Sequence, residues 1–222
     1  MPTLRSYRIY AVVATFVCFA SAAFAGPPLI CHPFVVDSAS PLLPWAPGRE
    51  WRLPHPDYDV ASLTADTLAL LSVDAPILSR MENLRRATLY ADQDPAVAEA
   101  LLAAILARID APTAEPRVAA LAWFDAGYLV ETYRQLDLVY QHGMLTPKGR
   151  GAPMLSAAVA GLDGYVLIQK ALALAPEQRA ELDFAASLMT PAPIVATHRR
   201  HAAAGAEPGS MLARNLELYA VD

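Results

Sequence analysis

Eight prolines crowd the stretch from Gly26 to Asp57: Pro27, Pro28, Pro33, Pro41, Pro44, Pro47, Pro54 and Pro56. Each one removes a backbone donor and fixes φ, so at this density helix is forbidden and extended or polyproline geometry is favoured. The same stretch carries Leu29, Ile30, Phe34, Leu42, Leu43, Trp45 and Trp51, which a disordered linker would lack. Residues 26–58 are therefore read as an extended arm whose side chains pack along the surface of the rest of the chain.

Residues 59–222 read as helical. Leu63, Leu68, Leu70 and Leu71 predict a helix over about 60–72, and Asp74 with Pro76 predicts the start of a second one running to about 91. Asp94-Pro95 opens a third, with Val97, Leu101, Leu102, Ile105 and Ile109 at helical spacing. Residues 116–140 are apolar almost all round, as a central buried helix should be. Residues 142–160 carry the glycines and prolines of an irregular excursion, after which helices are predicted at about 163–175, 178–189, 192–204 and 209–219. No alternating β-branched run interrupts residues 59–222. The fold class is all-α, a single domain of antiparallel helix pairs preceded by the arm.

Residues 1–25 set the destination. Arg5 and Arg8 precede an uncharged apolar stretch from Ile9 to Ala20, and Ala23-Phe24-Ala25 presents small residues where a signal peptidase cuts. The reading is a cleaved secretory signal, a mature chain starting at Gly26, and a periplasmic or secreted location. Removing 25 of 222 residues leaves 197, enough for one core. The leader takes two of the 17 basic residues and none of the 22 acidic ones, so the mature chain stands at 15 against 22, net −7. That charge repels nucleic acid and anionic membrane surfaces. Cys18 departs with the leader, which makes Cys31 the sole mature thiol, excludes an internal disulfide and leaves open a Cys31-linked homodimer.

Two resemblances rest on particular residues. Gln169-Lys170-Ala171-Leu172-Ala173-Leu174-Ala175-Pro176 resembles the closing helix and proline of a tetratricopeptide repeat, and Trp123 with Gly127 resembles that family's first helix. Ala203 and Pro208 come 32 residues after Ala171 and Pro176. The resemblance implies a short helical solenoid. Pro28-Leu29-Ile30-Cys31-His32-Pro33-Phe34, Trp123-Phe124-Asp125-Ala126-Gly127-Tyr128-Leu129-Val130-Glu131-Thr132-Tyr133 and Leu212-Ala213-Arg214-Asn215-Leu216 together resemble a group of exported bacterial helical proteins. That likeness implies the domain limits and no mechanism.

Candidate chemistry is sparse. Cys31-His32 pairs a thiol with an imidazole, a combination that serves nucleophilic, redox or metal chemistry, although neighbours on an extended chain point to opposite sides. Asp125 and Glu131 lie among aromatic residues, where burial would raise their pKa and fit them for general acid or base work. They stand about 240° apart round the helix, so they form no obvious pair. Ion pairing is the plainer role: Glu131 with Arg134, Asp125 with an arginine of the 76–91 helix such as Arg85 or Arg86, and Glu82 with both of those. His198 and His201 have an i, i+3 metal-ligand spacing, but Arg199 and Arg200 between them repel a cation and the tetrad reads as a solvated basic face. Trp45, Trp51, Trp123 and Tyr128 are candidate binding aromatics. No phosphate loop, serine elbow, Cys-x-x-Cys or His-Glu-x-x-His is present, and nothing calls for a cofactor. The leading expectation is an exported, non-enzymatic protein- or ligand-binding module. The alternatives are a Cys31-dependent redox or hydrolytic enzyme and a metal-binding protein using Cys31 and histidines.

Overall fold

A computed structural model describes residues 29–31, 33–46, 54–141, 143, 152–190 and 194–219. The leader with its cleavage site, His32, Trp51 and residues 142 and 144–151 of the 142–160 excursion lie outside these. Among the described residues the protein is all-α, with α1 Leu63–Leu70, α2 Ile77–Ala91, α3 Pro95–Ala107, α4 Pro116–Gln141, α5 Ala152–Ala158, α6 Gly164–Leu174, α7 Arg179–Ser187, α8 Ile194–Gly205 and α9 Met211–Leu218. No helix among them is long and apolar enough to cross a membrane.

Three α-helix starts carry side-chain caps. Asp94 accepts the Ala96 N–H at 2.9 Å with Pro95 in the first turn, Asp163 accepts from Val166 at 3.0 Å, and Ser210 accepts from Ala213 at 3.1 Å. Two expectations need correction. Asp74 does not cap α2: the cap position is Pro76, whose side chain offers no acceptor, and the first turn is closed by Arg80 N–H to the Pro76 carbonyl at 3.0 Å. The excursion is not irregular throughout, because α5 forms inside it.

α4 is the axis. It contacts α2, α3, α5 and α6, and most of its residues from Ala120 to Val139 are buried. The register of side-chain contacts gives the directions. Arg80 meets Asp125 and Thr88 meets Thr132, so α2 and α4 run parallel, with α3 as the return between them. Tyr133 reaches Ala98 and Asp125 reaches Arg108, so α3 and α4 are antiparallel. In α7 and α8, Asp183 meets His198 and Ala180 meets Gly205, again antiparallel. A solenoid confines each helix pair to its sequence neighbours, whereas α2 here also touches α7. The repeat expectation gains no support from this packing.

α4 and α6 touch backbone to backbone. A Cβ on Gly164 would lie 2.6 Å from the Gly127 carbonyl oxygen, and a Cβ on Gly127 would lie 2.7 Å from that of Gly164. Only a glycine on each side permits this crossing. It brings the start of α6 against Glu131 and sets the register that places Lys170 over Trp123, in the antiparallel sense.

The arm packs on the helical body, and more deeply than its composition alone predicts. Leu29, Ile30, Phe34 and Leu43 enter the core, each 5% exposed or less, while Asp37, Ser38, Ala39, Pro41 and Pro44 face solvent. Four inserted apolar side chains contribute about 6–12 kcal/mol of burial before entropy is charged. The arm is thus part of the hydrophobic core.

Candidate functional site

An extended segment has no helix or sheet to satisfy its amides and carbonyls, so their partners must come from elsewhere. Here they come from polar side chains on α2, α4 and α9. Gln135 accepts the Leu29 N–H at 2.5 Å, Glu82 accepts that of Phe34 at 3.1 Å, and Asn83 accepts that of Leu43 at 2.8 Å. Arg85 donates to the Ile30 carbonyl at 3.3 Å and Arg86 to that of Leu43 at 2.5 Å. Tyr90 donates to the Pro44 carbonyl at 2.6 Å and accepts the His55 N–H at 2.9 Å, beside the Trp45–Pro54 bridge. The stripe Glu82, Asn83 and Arg85 is fully buried because the arm covers it.

Glu82 is the hub. Its two oxygens take Arg85 at 2.8 and 2.9 Å and Arg86 at 2.7 Å, as the i+3 and i+4 spacing requires. Burial alone would push its carboxyl up, but the two guanidiniums outweigh that and hold it below the ordinary value. The same arginines approach the Trp45 ring, 5.2 and 5.6 Å from its centroid. Trp45, a candidate binding aromatic, is therefore half-buried against Arg85, Arg86 and Tyr90.

Asp125 pairs with an arginine of α2 as expected, and that arginine is Arg80 rather than Arg85 or Arg86. Arg80 grips it bidentately at 2.9 and 2.7 Å, with both side chains fully buried, and Arg108 adds 2.7 Å. Arg80 also donates to the Leu71 and Ser72 carbonyls and Arg108 to Leu71, so the cluster caps the end of α1. The one-turn change of partner arises because the parallel packing of α2 on α4 sets Arg80 opposite Asp125 and turns Arg85 toward the arm. Glu131 takes Arg134 at 3.1 Å as predicted, and Gln135 at 3.1 Å links it to the arm. Burial raises its carboxyl, with Gln135 and Arg134 opposing that. Asp125 and Glu131 are thus held in separate networks.

Cys31 sits in the short turn Leu29–Cys31 and is 8% exposed. A thiol so covered is closed to a substrate and to a second chain while the arm is docked. Tyr128, proposed for binding, is wholly buried beside Phe34 at 6.4 Å, and its hydroxyl has no hydrogen-bond partner. Burial pushes that hydroxyl well above its ordinary range. Trp123 is half-exposed, with Lys170 Nζ 4.0 Å above its ring, a cation–π contact.

One assembly escaped sequence reasoning. His198 is buried, not solvated: its Nδ1 lies 2.5 Å from Asp183 Oδ1, and its Nε2 lies 2.9 Å from the Tyr165 hydroxyl. The fully buried Asp183 also has Arg179 at 3.2 Å and His201 at 3.4 Å from Oδ2, as charge neighbours outside hydrogen-bond geometry. Tyrosine, imidazole and carboxylate are thus linked by hydrogen bonds across α6, α8 and α7, and both His198 nitrogens are engaged. Among the described residues no group of three or more His, Cys, Asp or Glu side chains is placed to hold a metal ion. The available signal was Asp183 itself, a lone acid between Leu182 and Phe184 on an apolar helix face.

No protein-family model matches the chain, and neither a curated protein nor a solved structure matches it.

Proposed function

We propose that the chain is an exported, non-enzymatic binding protein whose contact face surrounds the first half of α4. The observation that carries this reading is a set of uncovered apolar side chains on and beside α4 and α6. Val73, Val118, Val166 and Leu174 are 36–45% exposed, and Trp123 is half-buried under Lys170. Arg117 donates to the Val73 carbonyl at 3.1 Å, which puts Val73 beside the start of α4, next to Val118. Val166 and Leu174 lie one turn either side of Lys170, which covers Trp123. Four of the six exposed large hydrophobics among the described residues thus lie on α4 and α6 or beside the start of α4, uncovered as partner-binding side chains would be. The acids elsewhere support the reading, since Glu82, Asp125, Glu131 and Asp183 each hold helices or the arm together.

A photo-crosslinking residue at Trp123, with a second at exposed Glu99 on α3 as the control, tests it in the producing cell. A discrete adduct from position 123, absent from position 99 and lost with Leu174→Asp, is the expected result. Equal labelling from both positions contradicts the reading. Intact mass tests export: a chain starting at Gly26 supports it, and a retained Met1 refutes it.

A further inference from the structure

The arm has the chemistry of a bound ligand. Asn215 on α9 accepts the Val35 N–H at 2.9 Å and donates to the Val35 carbonyl at 2.7 Å. Asn83 on α2 does the same across a turn, accepting from Leu43 at 2.8 Å and donating to the Pro41 carbonyl at 3.2 Å. A carboxamide that pairs with both an N–H and a C=O grips extended peptide without reading its side chains. Both asparagines are fully buried, one on α2 and the other on α9. Side-chain selection is left to pockets. Phe34 fits among Tyr128, Phe184 and Tyr219, with ring centroids 6.4, 6.2 and 5.5 Å away, and Leu43 is 1% exposed nine residues on. Between these anchors Asp37, Ser38 and Ala39 face solvent.

We infer that the groove formed by α2, α4, α7 and α9 is a peptide-binding site that takes the arm of a second copy of this chain, whose residues 33–46 carry the same anchors that the chain's own arm seats here. The contacts over residues 33–46 are the same whichever copy supplies them, so the closed and exchanged forms differ only in connection. Apart from the Trp45–Pro54 bridge and the exposed Arg214–Asp37 ion pair, these polar contacts of the arm with the body are made by side chains of the body to backbone of the arm, and its apolar anchors enter pockets. The tether keeps the chain's own arm at an effective concentration of about a millimolar, which favours the closed form in dilute solution. This site is separate from the α4–α6 face, and its test does not depend on that face.

The full chain, carrying a protease site in place of residues 48–52, is folded, nicked, and taken through mild urea with a ten-fold excess of a labelled peptide spanning residues 26–46. The expected result is exchange of about nine-tenths of the arm, the statistical share for identical ligands. A peptide N-methylated at Val35 and Leu43 removes the two clamped donors without altering the protein, and about a ten-fold or greater loss of uptake is expected. The un-nicked chain, refolded in parallel, excludes the label. The inference is overturned if the nicked chain fails to refold while the un-nicked one recovers. It is overturned equally if the nicked chain refolds and excludes the label, or if the N-methylated peptide binds as well as the native one.

Discussion

Replacing Asp125 with alanine tests how the polar interior is balanced. Arg80 and Asp125 are both fully buried and joined by two bonds of 2.9 and 2.7 Å, so removing the carboxylate leaves a guanidinium without its counter-charge in the core. Breaking a buried pair in this way costs about 3–5 kcal/mol. Arg108 adds little to that figure, because its side chain is 28% exposed and can turn to water. Against a domain stability of about 5–15 kcal/mol the loss is large. With a urea slope of about 2 kcal/mol/M, it lowers the unfolding midpoint by about 1.5–2.5 M, read by far-ultraviolet circular dichroism. Arg80→Met/Asp125→Leu recovers part of this by removing both charges. The remainder is the lost capping of the Leu71 and Ser72 carbonyls, about 1–2 kcal/mol. A midpoint within about 0.3 M of the parent for Asp125→Ala would refute the reasoning, since a carboxylate so dispensable does not hold Arg80 in place.

Three further outcomes rest on single contacts. Gly164→Ala destabilises by about 1–3 kcal/mol despite alanine's better helix propensity, because its Cβ meets the Gly127 carbonyl at 2.6 Å and Glu131 Cβ at 3.0 Å; a raised melting temperature would contradict the crossing. Tyr128→Phe raises stability by about 1 kcal/mol, since it deletes a buried hydroxyl that has no partner; a clear loss would show a bond at that oxygen. Glu82 is held below its ordinary value of 4.5, so its contribution is complete above that pH and is lost as pH falls through the lower folded value. Glu131, raised by burial, runs the opposite way, with its contribution complete below 4.5 and lost as pH rises. Subtracting the Glu82→Gln unfolding profile from the parent's isolates the first effect, which should be constant near neutrality and collapse in acid; a difference independent of pH would contradict it.

Local chemistry made the helices legible. Asp94-Pro95 and the apolar run after Pro116 carry their own start signals and periodicity, and α3 and α4 lie where these place them. Ion pairs within one helix, Glu82 with Arg85 and Arg86 and Glu131 with Arg134, were legible for the same reason. What escaped depended on contacts between distant residues. The arm's prolines announced extended chain, but its place in the core rests on Asn83 and Asn215, 40 and 180 residues from the amides they hold. Asp125 chose Arg80 because of how α2 is rotated on α4, which no periodicity in either helix specifies. His198 looked solvated beside Arg199 and Arg200, and only the folding of α7 onto α8 brings Asp183 to it. Proline and glycine around α5 hid a short helix behind an irregular composition.

The account turns on the arm being held by side chains of the body, and amide hydrogen exchange at single-residue resolution measures this directly. The amides of Leu29, Phe34, Val35 and Leu43, bonded to Gln135, Glu82, Asn215 and Asn83, should be strongly protected, while solvent-facing Ser38 and Ala39 should exchange quickly. Asn215→Ala should release Val35 first and leave Leu43 protected by Asn83. Uniformly fast exchange from 29 to 46 in a folded body would contradict the account, because it would mean that the arm is not seated.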